Sequence, residues 1–270
     1  MNLSSTLNSE SDPMFRVPTI KSARELVSMR AAGRVVAEVI DRLKEILEPG
    51  VTTGYLDREA RKVISDRGAE PSFLGYAPAP GGVPFPGVIC TSLNEEIVHG
   101  IPGERIIQDG DLVKLDVGAI VDGFHGDSAV TLIAGDGNAE ARKLVEVTRG
   151  ALEKGILAAK PGARVGDISA AVEGFARPQG YELVKEYTGH GIGRRLHEAP
   201  QIPNVGPGGQ GLQLRAGMVI CIEPMVNIGT WRTEVLDDSW TVVTADRKLS
   251  AHFEHTLAIT SDGPEILTAL

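Results

Sequence analysis

The sequence predicts a mixed α/β domain of the α+β kind, and three observations point there. Long segments with helical periodicity alternate with short apolar runs of strand length. The stretch KLDVGAIVDGFHGDSAV, residues 114–130, reads as strand, tight turn and strand. Two Pro-Gly-led segments, PGVTTGYLDREARKVISDRGAE at 49–70 and PGARVGDISAAVEGFARPQGYE at 161–182, align without a gap at an offset of 112.

Taken in order, the elements begin after a polar, Ser-rich stretch. Residues 1–17 have no apolar core and read as a disordered tail, not a signal peptide, and Glu10 and Asp12 argue against a transit peptide. A long helix opens with a capping box from Ser22 to Glu25. Leu26, Met29, Val36, Ile40, Leu43 and Ile46 recur along it at helical spacing, and Pro49-Gly50 stops it. Shorter helices are expected over 55–67, 138–159 and 166–177. Strands are expected near 88–93, 111–121, 124–134, 218–227, 239–244 and 251–260. The Pro-rich segment YAPAPGGVPFPG, 76–87, is a loop suited to the rim of a cleft.

The 114–130 hairpin raises a chemical question. Asp122-Gly123 suits a two-residue turn because both positions accept positive φ. That turn sets Val121 opposite Phe124, Gly118 opposite Asp127 and Asp116 opposite Ala129. Asp116 and Asp127 are then diagonal neighbours on one face, their Cβ atoms about 7 Å apart. Two carboxylates among Leu, Val and Ala are costly unless the face is wet or a cation neutralises them. Both readings stay open on this segment alone.

The repeat extends further. HGIP at 99–102 echoes HEAP at 197–200, and GDLVKLD at 110–116 echoes GMVICIE at 217–223. Duplication would give two like halves, about 19–135 and 136–270, packed around a pseudo-twofold axis where His99, His197, Asp116 and Glu223 meet. Chance similarity of short Gly/Pro motifs is the alternative.

Two further acids share the anomaly of Asp116: Glu223 in VICIEPMV and Glu254 in AHFEHTLAIT. His190 stands between glycines in GHG, where backbone or substrate can approach closely, although a lone histidine is often only a structural hydrogen-bonder. Four acids in apolar strands and one imidazole make an oxygen-rich, mixed O/N donor set. Such a set suits manganese, iron, cobalt or zinc in a catalytic setting. The acid count calls for two divalent ions, ~3.5 Å apart, activating water for hydrolysis of a carbonyl compound.

Composition removes other classes. The 270 residues are 42% hydrophobic, enough for a sizeable core. A net charge of −9 without a Lys/Arg cluster argues against DNA or RNA binding. No uncharged apolar run approaches the roughly 18 residues of a membrane span. Two cysteines, Cys90 and Cys221, make no disulfide scaffold and favour a reducing, cytoplasmic location. GPGGQG at 206–211 matches a dinucleotide-loop pattern formally, but it contains Pro207 and neither follows a clear strand nor opens a helix. No GxSxG or HExxH occurs, and Cys90 lacks a nucleophile motif.

The segments NEEIVHGIP, LDVGAIVDGFHGDS, GHGIGRRLHEAPQIPN, IEPMVN and SWTVVTADRKLSAHFEHT closely resemble the type I methionine aminopeptidases, from about residue 19 to the C terminus. The resemblance implies the pseudo-symmetric pita-bread fold, a central antiparallel sheet covered by helices, in one catalytic domain over 18–270. It implies removal of initiator methionine from nascent peptides with a small second residue, by a monomer working near the ribosome. Asp116, Asp127, His190, Glu223 and Glu254 match the ligands of two divalent ions, with Asp127 and Glu254 bridging. His197 matches the histidine that contacts the scissile carbonyl, and His99 the one that bonds the substrate backbone beyond the cleaved bond. Glu223 is the proton shuttle by this reading. Tyr76, Cys90 and Trp240 match the methionine pocket. Asn94 and Ser250 match positions that hold a monovalent cation in some members.

The sequence departs from the pattern in places. The Tyr76–Cys90 connection is longer than usual, Leu196 stands where many members have Phe, and Phe73 where some have Cys. No zinc-binding extension and no long insertion between His197 and Glu223 is seen, which favours the short bacterial type. A Xaa-Pro peptidase with the same five ligands, and a metal-free binding protein on the same fold, are the alternatives.

Overall fold

The computed structural model describes residues 17–79 and 81–270. The tail expected over 1–17 therefore lies outside the described residues, apart from Val17. Four helices form where the periodicity places them. Helix α1, Ala23–Ile46, starts at Ser22, whose Oγ accepts from Glu25 N while Glu25 accepts in return from Ser22 N at 2.9 Å. That reciprocal cap contributes about 1 kcal/mol. Met29, Val36, Ile40 and Leu43 are buried along α1, and it ends three residues before Pro49. Helices α2, Thr53–Asp66, and α3, Ala139–Ala158, begin at Thr52 and Asn138, whose side chains accept from the third residue on. Helix α4 covers Val165–Ala176.

The strands are more numerous and shorter than expected. In the first part of the chain they are β1 (Glu70–Pro71), β2 (Ile89–Leu93), β3 (Glu96–Val98), β4 (Leu112–Val121) and β5 (Phe124–Ile133). After α4 come β6 (Glu182–Leu183), β7 (Gly189–Gly191), β8 (Glu198–Ile202), β9 (Val219–Ile222) and β10 (Met225–Asn227). The last five are β11 (Thr233–Val235), β12 (Val242–Thr244), β13 (Ser250–His252), β14 (His255–Thr260) and β15 (Gly263–Ile266). All their pairings are antiparallel among the described residues. β4 pairs with β5, β2 and β1; the other sheets run β13-β10-β6, β11-β12-β3 and β15-β14-β9-β7-β8. Helices α1 and α2 cover the first sheet around Val36, Leu43, Leu56 and Leu115, and α3 and α4 cover the later strands around Leu144, Ile168 and Ile220.

The β4–β5 hairpin has the expected register: Val121 faces Phe124, Gly118 faces Asp127 and Asp116 faces Ala129. Asp122 and Gly123 take φ of 53° and 73°, so the turn has the left-handed pair that matches strand twist.

Three expected strands are corrected. The run 218–227 is not one strand but two, β9 and β10, which belong to different sheets. The run 251–260 divides the same way into β13 and β14. Their ladders, Ile222 with His255 and Met225 with His252, flank a gap that holds Glu223, Pro224, Phe253 and Glu254. Pro224 has no N–H to give a ladder, so the interruption falls there. Glu223 and Glu254 thus sit at paired breaks, not inside strands. The run 239–244 forms only Val242–Thr244, because Ser239 has φ 68° and Asp238 caps the turn through Trp240 N and Thr241 N.

Candidate metal centre and substrate pocket

The hairpin and the paired breaks meet face to face. Glu254 N donates to Ala129 O at 2.9 Å, and Thr256 Oγ1 donates to Asp127 O at 2.7 Å while accepting from Asp127 N at 3.0 Å. These bonds join β5 to β14 and set the aspartates of one part of the chain against the glutamates of the other. Asp127, His190, Cys221 and Glu254 each offer a ligand atom within 4.8 Å of the others, and all four are buried. Glu223 Oε1 lies 3.6 Å from His190 Nε2, and its Oε2 lies 3.6 Å from His252 Nε2. Asp116 lies diagonal to Asp127 across the β4–β5 ladder, and its charge acts on Asp127, Glu223 and Glu254. The five expected ligands are therefore one cluster.

Its electrostatics fit divalent ions. Asp116 Oδ1, Asp127 Oδ1, Glu254 Oε1 and His252 Nε2 are buried without a hydrogen-bond partner, an arrangement that costs free energy for every such atom. Burial pushes the Asp116 carboxyl up to about 6. Burial and then neighbouring carboxylates push Asp127, Glu223 and Glu254 well above the usual range. Orphaned oxygens on mutually repelling acids, beside an imidazole, form a donor set that suits hard-to-borderline cations.

Cys221 and His252 are the residues that sequence reasoning passed over. Each stands two positions before an acid, Cys221 before Glu223 and His252 before Glu254. The period-2 rule was the available signal. The glycines around His190 allow the close approach expected of them, and what approaches is backbone. A Cβ at Gly189 would strike Cys221 O, and one at Gly191 would strike Ala199 O, so they admit neighbouring strands.

The remaining candidates line one side of the cluster. His197 stacks edge-on against His190, ring centroids 4.3 Å apart, and its Nδ1 is 2.7 Å from Tyr76 Oη. The loop carrying His197 is tied down by the buried pair Lys21 Nζ–Glu198 Oε2 at 2.9 Å. His99 packs edge-on against Trp240 and Tyr187, centroids 6.0 and 5.8 Å away. Tyr76, Cys90 and Trp240 belong to one apolar group with Phe73, Phe85 and Leu196. Trp240 Nε1 donates to Val83 O at 3.1 Å and Phe85 N to Tyr76 O at 2.8 Å, which folds the Pro-rich loop over this wall.

Two pH effects follow. Burial holds five histidines (His99, His125, His190, His252 and His255) at about 4, and His197 well below its usual value. The unfolded chain takes up those protons first, so folding stability is lost as pH falls from about 6.5 through 4. The raised acids act oppositely in metal-free protein, because the folded state binds their protons more tightly. A bound metal ion would strip those protons and cancel the opposition. The rise in Tm on adding Mn²⁺ to chelator-treated protein is expected to be largest near pH 7.5 and to shrink steadily towards pH 5. A pH-independent rise would contradict this.

Comparison with known proteins agrees with the geometry. The model of metallopeptidase family M24 matches residues 27–261. Methionine aminopeptidase 1 of Bacillus subtilis is 50% identical over 92% of this chain and 98% of its own length. The chain belongs to metallopeptidase family M24 and, within it, to the methionine aminopeptidases. It is a hydrolase with the pita-bread fold of that family. The crystal structure of methionine aminopeptidase from Thermotoga maritima superposes with a TM-score of 0.90 at 42% identity, covering 94% of this chain and all of that one. Prolidase from Pyrococcus furiosus shares the fold at a TM-score of 0.76 and 22% identity, and the match spans 67% of that longer chain. Among the described residues no helix is long and apolar enough to cross a membrane.

Proposed function

We propose that this cleft removes methionine from the N termini of nascent peptides whose second residue is small. The observation that carries the reading is the convergence of orphaned acid oxygens beside an apolar wall. Asp116, Asp127, His190, Glu223 and Glu254 would hold two divalent ions, of cobalt, manganese, iron or zinc. When bound, these ions supply Lewis acidity and a nucleophile from water at neutral pH.

The chain's own groups do the rest. Burial and the charge of Asp127 raise the Tyr76 phenol, so it keeps its proton and donates to His197 Nδ1. His197 then carries its proton on Nε2 and donates to the scissile carbonyl oxygen as negative charge develops there. His99, also kept neutral by burial, donates to the substrate backbone beyond the cleaved bond. Glu223 shuttles the proton to the leaving amine, since its side chain is 14% exposed and its Oε1 lies 3.6 Å from His190 Nε2. Tyr76, Cys90, Phe85 and Trp240 receive the methionine side chain and keep water out.

One catalytic domain over 18–270, made of two like halves, is supported by equivalent joints. Thr52, before α2, bridges to Ile106, and Arg164, before α4, bridges to Gln213. Two free buried cysteines are compatible with the cytoplasm, where nascent chains leave the ribosome. The Xaa-Pro alternative is disfavoured because identity to a methionine aminopeptidase reaches 50%, against 22% to the prolidase.

The test assays Met-Ala-Ser and Xaa-Pro peptides, with Co²⁺ or Mn²⁺ and after chelation. Metal-dependent release of methionine alone is expected. Xaa-Pro cleavage would favour the second reading, and no turnover with any metal would point to a binding protein. A Glu223→Ala chain with near-normal turnover would remove Glu223 from the proton path.

A further inference from the structure

Lys114 is 1% exposed, on β4, two residues before Asp116. Its Nζ donates to the main-chain oxygens of Asn94 at 2.6 Å and Ser250 at 3.0 Å. A buried ammonium is costly unless dipoles or anions replace its hydration shell. Here two peptide carbonyls are turned towards it, and carbonyl oxygens are also the donors that strip and hold alkali cations.

Asn94 and Ser250 are the residues at which the resemblance implies a monovalent cation. We propose that the tethered ammonium of Lys114 takes that cation's place, so that this chain needs neither Na⁺ nor K⁺. An alkali ion and an ammonium cannot share two carbonyls: they would repel at contact distance, and burial weakens the screening between them. Tethering also makes occupancy independent of the salt around the protein, because the cation is supplied intramolecularly.

The position gives the ammonium structural leverage. Asn94, with φ 52°, leaves the end of β2; its Oδ1 accepts from Leu112 N at 3.0 Å, and its main-chain oxygen accepts from Ser250 N at 3.1 Å. Ser250 opens β13, which leads to Glu254; β4 leads from Lys114 to Asp116. The ammonium therefore pins together the two strand starts from which acids of opposite parts of the chain reach the centre. Lys114 is a positioning residue: it acts through Asp116 and Glu254 without touching substrate.

The experiment compares thermal unfolding and kcat/KM in choline chloride, NaCl and KCl at equal ionic strength, for the parent chain, Lys114→Ser and Lys114→Met. The unfolding readout on chelator-treated protein needs no divalent ion, so it stands or falls separately from the proposed function. The parent Tm is expected to be the same in all three salts. Lys114→Ser is expected to lose on the order of 5 °C in choline and to recover saturably with KCl or NaCl. Lys114→Met, whose methyl terminus leaves no room, is expected to be destabilised without recovery. A parent Tm or kcat/KM that rises with Na⁺ or K⁺ above choline overturns the proposal. So does a folded Lys114→Ser chain indifferent to salt identity. Should Lys114→Ser fail to fold in choline, its refolding yield in KCl against choline gives the same reading, and equal yields overturn it.

Discussion

Asp127→Asn is expected to fold normally, to bind far less divalent metal, and to lose kcat/KM on Met-Ala-Ser by on the order of 10³-fold or more. Folding should survive because Asp127 is held through its backbone, both N and O being bonded to the Thr256 hydroxyl. The amide is nearly isosteric with the carboxylate and removes one of four mutually repelling acids. The metal-free Tm should therefore be equal to or above that of the parent. What disappears is the charge that pulls cations into a buried site. Groups one step behind a metal ligand typically cost 10–100-fold when changed, so a ligand itself should cost more. Metal content after gel filtration, the Tm rise on adding Mn²⁺, and single-turnover rates measure the three parts separately. Parent-like metal content with activity within tenfold of the parent would remove Asp127 from the centre.

His197→Ala should separate binding of metal from stabilisation of the reaction. Its ring touches His190 and Tyr76, yet no metal-ligand role is assigned to it. Metal content is therefore expected to be unchanged, with kcat lower by about 10²–10³-fold and KM altered little, as for loss of one oxyanion donor. Tyr76→Phe leaves the imidazole in place but frees its tautomer. A loss of about tenfold or less in kcat is expected, in keeping with one hydrogen bond of about 1 kcal/mol. If Tyr76→Phe were as damaging as His197→Ala, the phenol would itself be in contact with substrate.

Much of this arrangement is legible in the order of residues. Helix α1 was readable from Ser22, Glu25 and a 3.6-residue apolar period, all of them local. The β4–β5 register was readable from Asp122-Gly123, because a two-residue turn dictates every cross-strand pair that follows. Glu223 and Glu254 were visible as acids out of place, but their setting was not. An apolar run looks the same whether it continues or breaks, and the switch between sheets depends on which distant strand each piece meets. The short strands β6, β7, β11 and β15 gave little periodic signal, because two to four residues cannot establish a period.

The local code thus determined the helices, the hairpin and the identity of the acids that need neutralising, since capping, turn geometry and the cost of burying charge act within a few residues. Only the folded chain decided which side chains share one point in space. Cys221 and His252 beside the acids, Tyr76 on His197, and Lys114 between Asn94 and Ser250 are contacts between residues far apart in the chain, 136 positions apart for Lys114 and Ser250. Long-range closure of β5 onto β14 brings them together, because burying apolar faces on both sides of the sheet leaves the polar atoms a single interior cleft in which to meet.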